Sequence, residues 1–98
     1  MKSKRIRTIP DVFGNERLEI KLDDLLRDRD PRLQMYVYRM RDGLKLKPAI
    51  LVCAPFPNLF DHLRDEHGGG DFAIIIRRAK TIELSGVVRI APPPHRCR

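Results

Sequence analysis

His62, Glu66 and His67 come closest in this chain to a metal-binding set. On a helix His62 and Glu66 share a face, but His67 points well over a quarter-turn away from His62. A metal site needs three or four converging ligands, so no metal is expected. His95 and Cys97 fall on a terminal tail read as mobile. Nucleophilic chemistry has no better footing. Ser85 lies in an alternating run without a nucleophile-elbow pattern, and neither Cys53 nor Cys97 has a local His partner. The carboxylate pairs Asp23-Asp24 and Asp65-Glu66 sit in charge-mixed segments, where solvation rather than acid–base work is their use. The chain reads as a non-enzyme, with no catalytic residue, no metal and no cofactor.

Gly68-Gly69-Gly70 is the strongest local oddity. A glycine run cradles a phosphate when it precedes a helix N-terminus, whose dipole attracts the anion. Here the glycines follow a helix-forming segment and run into Asp71, so the local electrostatics oppose a phosphate. They read instead as a helix C-cap and a tight turn into a strand. The surrounding stretch, LFDHLRDEHGGGDFAIIIRR, resembles short uncharacterised proteins of phages and other mobile elements with a similar turn between helix, glycines and aromatic. That resemblance covers residues 59–78. It implies a mobile-element origin and carries over no functional residue.

Charge points to binding. The net charge is +7, and it is unevenly placed. Residues 1–7 hold four cations (Lys2, Lys4, Arg5 and Arg7) and no acid, while residues 8–71 hold ten cations and twelve acids. Residues 72–98 hold six cations against the one acid Glu83. The excess therefore sits on the two ends and the last hairpin, where a polyanion-binding edge needs it. Arg77, Arg78 and Lys80 fall at that hairpin's expected tip, and Arg96 and Arg98 end the tail. Tyr36 and Tyr38 share one face of an expected strand, with Arg39 and Arg41 beside them. On an open sheet such a pair stacks bases while cations follow the backbone. The competing use is to pack under a helix or cover the sheet's second face. No zinc finger, helix-turn-helix or RNP-type pattern is present. The expected binding is electrostatic and salt-sensitive, to DNA or RNA, with little sequence preference.

These residues need elements to position them. Residues 1–16, basic and broken by Pro10 and Gly14, read as a partly disordered arm. Leu18, Ile20 and Leu22 alternate with Glu19 and Lys21, which predicts a short strand; a single helical turn follows through Leu25 and Leu26, ending near Pro31. Leu33 to Met40 reads as a strand with Met35 and Val37 on one face. Asp42-Gly43 marks a turn. The apolar run from Ala49 to Cys53 predicts a strand buried on both faces, either paired with the previous one or central in the sheet. Asn58 N-caps the one predicted helix, with Leu59, Phe60 and Leu63 as its apolar stripe.

Phe72 to Arg77 and Thr81 to Ile90 predict a C-terminal hairpin. A two-residue loop, Ala79-Lys80, sets Ile76 opposite Glu83. A three-residue loop, Arg78-Ala79-Lys80, sets Ile76 opposite Ile82, Ile74 opposite Leu84 and Phe72 opposite Gly86. Only the second gives a coherent apolar face, so it is the expected one.

The domain plan is a basic arm over 1–16, one α+β domain over 17–91 and a Pro-rich basic tail over 92–98. The domain is a small, mainly antiparallel sheet with one short helix on one face. With six aromatics and no Trp, its core must be mostly aliphatic. No apolar region follows the basic N-terminus as in a signal peptide, and Pro48 to Phe56 is too short to span a bilayer. A cytoplasmic protein without a membrane partner is expected. Two functions fit. One is an accessory protein that binds nucleic acid. The other is an assembly or interaction module of a phage or mobile element, such as a virion component or an inhibitor. It docks through a sheet edge or the tyrosine face, with a second copy among its partners.

Overall fold

Asn15 to Asp28 contains neither Gly nor Pro and forms the first helix, α1. The strand expected over Leu18 to Leu22 is overturned. Over five residues Leu18 and Leu22 satisfy both a period of two and a period of 3.6, but Leu25 and Leu26 continue only the helical one. Ile20, which alternation would turn inward, is 59% exposed, while Leu18 and Leu22 are buried. The helix ends before Arg29, at φ 56, and Pro31 follows. The computed structural model describes residues 15–94. The arm and tail readings for 1–14 and 95–98 lie outside the described residues, and Asn15 and Glu16, assigned to the arm, open α1.

Four strands follow, with a second helix between the hairpins: β1 (Leu33–Arg41), β2 (Leu44–Cys53), α2 (Leu59–His67), β3 (Gly70–Arg78) and β4 (Thr81–Ile90). They build one antiparallel sheet in the order β2-β1-β3-β4. This is the α+β fold with a C-terminal hairpin that the sequence predicts, with two helices rather than one. Leu18 and Leu22 of α1 and Leu59 and Leu63 of α2 join a single core with Met35, Val37, Phe72, Ile74, Ile76, Leu84 and Val88. Both helices therefore cover the same side of the sheet. Among the described residues, Phe72 is the one fully buried aromatic in a core of aliphatic side chains.

Three local expectations are corrected. The run from Ala49 to Cys53 pairs with β1, but as an edge strand, and Val52 is 51% exposed. Continuous apolarity did not mean burial on both faces, because among the described residues β2 is an edge strand and both helices pack on the same side of the sheet. Asn58 holds the N-cap position in the left-handed conformation (φ 63) and makes no side-chain cap hydrogen bond. Asn suits the site because it tolerates positive φ, and its backbone carbonyl accepts the His62 N–H at 3.0 Å. The third correction is the hairpin loop, which has two residues rather than three. Ile76 nevertheless faces Leu84, Ile74 faces Gly86 and Phe72 faces Val88, because a bulge between Ile76 and Arg77 absorbs one residue of β4. The extra residue restores the apolar face that a regular ladder of this length would lose.

Candidate nucleic-acid interface

Among the described residues, no helix covers the second face of the sheet. Pairing places Tyr36 beside Val52 on one flank and Ile75 on the other, and Tyr38 beside Ala73. Ser85 and Val87 extend these two rows on β4. Both tyrosines are half-buried on this face, so they form its surface rather than lying under a helix. Lys45 stands over the Tyr38 ring, its Nζ 4.7 Å from the centroid. Arg77, paired with Gln34, is exposed at the opposite end. The two partner positions, Gln34 and Met40, are six steps apart on β1, which is about 20 Å along a strand.

Lys45 escaped the sequence reading. Its signal was the Asp42-Gly43 turn. Once Met40 pairs with Lys45, side-chain alternation carries the lysine to the Tyr38 face.

The expected cationic tip is divided. Arg77 and Lys80 are exposed, but Arg78 is held by three acids, with ion pairs of 2.6 Å to Asp28, 2.6 Å to Asp30 and 3.2 Å to Glu83. These contacts, Glu83's first, raise the Arg78 pKa above its ordinary value. Arg39 also has internal work. Its guanidinium donates to the carbonyls of His67 (2.7 Å) and Gly69 (3.2 Å) and lies 5.1 Å from the Phe72 ring centroid. It satisfies the carbonyl end of α2. Lys2, Lys4, Arg5, Arg7, Arg96 and Arg98 lie outside the described residues.

Asp30 links this network to pH. Hydrogen bonds from the Arg32 side chain, then from the Arg32 backbone and Arg78, hold its carboxyl well below the ordinary 3.8. Arg89 and Arg64 likewise lower Asp71 and Asp65. A carboxylate with a depressed folded pKa contributes its stability above the unfolded value and loses it as pH falls. Stability is therefore expected to hold above about pH 5 and to decline below about pH 4. Arg32→Met should flatten that decline in urea unfolding followed across pH.

The remaining chemistry-bearing groups are packed. His62 and His67 ring centroids lie 5.3 Å apart, edge to face, nearer than their spacing implied, because His67 is the last helical residue. Burial first, then His62 and Arg39, push the His67 pKa down. Among the described residues, no group of three or more His, Cys, Asp or Glu is placed to hold a metal. Burial raises the pKa of the half-buried Cys53 thiol, which packs against the core. Gly68 ends α2 at φ 77, and Leu63's carbonyl accepts the N–H of Gly68 and, at 3.1 Å, that of Gly69. The glycine run is a helix cap and turn.

Charge follows the two layers. α1 and α2 carry eight acids and four cations, a net of −4, while the strands carry seven cations and two acids, a net of +5. Glu19, Asp23 and Asp61 line the groove between the helices. A polyanion is repelled from the helix side. Not all of the strand charge faces the open side, since Arg39 turns to the helix side and Arg78 is held by three acids. The open face carries Lys45, Arg77 and Arg89, with Asp71 beside them. Among the described residues no helix is long and apolar enough to cross a membrane. Comparison with family models, curated proteins and solved structures found no match.

Proposed function

We propose that this protein binds nucleic acid on the open face of its sheet, by charge and base stacking, with little sequence preference and no chemistry on the bound strand. The observation that carries this reading is an acidic helix layer behind an open face that carries Tyr36 and Tyr38 between the exposed cations Lys45 and Arg77. Lys45 and Arg77 bracket the tyrosines and meet backbone phosphates, while the rings take the faces of unpaired bases. A paired base keeps its faces stacked, so single strands bind more tightly than duplex. An assembly role rests on a different feature, the edge of β4.

Charge reversal on the two layers tests the reading. Lys45→Glu with Arg77→Glu should weaken single-strand binding at least about tenfold and lower the salt slope by about two. Arg27→Glu with Arg64→Glu changes net charge equally on the helix layer and should cost much less. Equal losses in fluorescence anisotropy would reduce the interface to net charge and overturn its placement.

A further inference from the structure

We propose that β4 pairs antiparallel with β4 of a second copy about a two-fold axis through Gly86, forming a homodimer with one continuous eight-stranded sheet. The sheet has two edges, and they are protected differently. β2 carries Lys45, Lys47 and Pro48, and its ladder with β1 is broken between Val37 and Arg39. Charge and proline are usual devices that stop an edge from pairing, and the bulge of β4 lies at Glu83, at one end of the segment that would pair. On β4 the five residues Leu84-Ser85-Gly86-Val87-Val88 hold neither a charge nor a proline. Their ladder with β3 is regular beyond the bulge. Among the described residues, no backbone hydrogen bond joins β4 to anything but β3. Each strand of an antiparallel pair turns alternate N–H and C=O groups away from its neighbour, so β4 presents an outward row of them.

The occupant follows from the strand's own pattern. β4 holds two charged residues, Glu83 and Arg89. Only one antiparallel register sets each opposite the other's counterpart, and it centres on Gly86. In that register Leu84 faces Val88 of the second copy and Ser85 faces Val87. The two glycines meet at the axis, where they leave no side chain between the strands. Leu84, Gly86 and Val88 already face the helix side, so apolar rows continue across the junction. Glu83 contacts Arg78 and Arg89 contacts Asp71 within one chain, at the two ends of the proposed pairing segment. The dimer sets two Tyr36/Tyr38 faces side by side, although the pairing does not depend on what those faces bind.

The charge pattern gives a test by sedimentation equilibrium. The wild type should associate reversibly at micromolar concentrations. Glu83→Arg places Arg against Arg twice in its own dimer, and Arg89→Glu places Glu against Glu twice. Each variant alone should associate about tenfold or more weakly than wild type. Mixed together they form a heterodimer in which both pairs are again opposite in sign, so association should recover. No intramolecular effect predicts that recovery. Glu83→Gln and Arg89→Gln, expected to weaken association a few-fold, serve if a reversal fails to fold by circular dichroism. A monomeric wild type, or a mixture that stays monomeric, overturns the proposal. A dimer indifferent to all four substitutions overturns the register.

Discussion

Gly69→Ala is expected to lower the thermal midpoint by on the order of 15 °C. A Cβ on Gly69 would stand 2.8 Å from the backbone carbonyl oxygens of both Ile90 and Ala91. Neither neighbour can rotate aside, since both belong to the main chain leaving β4. The residue also sits at φ +74, which L side chains avoid. Overpacking and backbone strain together cost about 3 kcal/mol. Gly43→Ala is the control. Its φ is +79, but nothing lies within 4 Å of the added carbon, so only the conformational cost of about 1 kcal/mol remains. Circular dichroism melts of the two variants should differ severalfold in shift. Equal shifts would mean that the contact with the β4 exit contributes nothing.

Arg39→Leu should destabilise the same corner by about 2–3 kcal/mol, because two carbonyls at the end of α2 lose a charged donor. The ring of Phe72 loses its cation as well. Arg39→Lys should recover only part of this, since an ammonium cannot reproduce the planar fork that reaches both carbonyls. Urea unfolding checks the order wild type, Lys, Leu. A Leu variant as stable as wild type would show that the contacts with His67 and Gly69 carry no net stability. Arg39 was read from the sequence as a nucleic-acid contact because it follows two tyrosines, although it shares the parity of Met35 and Val37. Side-chain alternation turns it to the opposite face, against Phe72.

The pattern of legibility has physical causes. Period two in β1 was unambiguous, because Met35 and Val37 are apolar and the tyrosines amphipathic, and the structure separates them as alternation demands. The glycine turn was legible because three glycines after a helix have few other uses. α1 was missed because leucines four apart at 18 and 22 suit either period, and Ile20 supplied a false third point. The hairpin loop was missed because a bulge restores register at no visible cost in sequence. The divided tip was beyond reach for another reason. Arg78 is partnered by Asp28 and Asp30, some fifty residues earlier in the chain, and only the fold brings them together.

The chain has two tyrosines and no Trp, and both tyrosines lie on the proposed binding face. Its intrinsic fluorescence therefore reports on that face alone. Titrating the protein with a single-stranded oligonucleotide at low salt, with anisotropy of a labelled strand followed in parallel, tests the central claim most directly. The predicted result is quenching of tyrosine emission that saturates together with the anisotropy and reverses as salt is raised. Anisotropy that rises while tyrosine emission stays constant, or no rise at all, would contradict it.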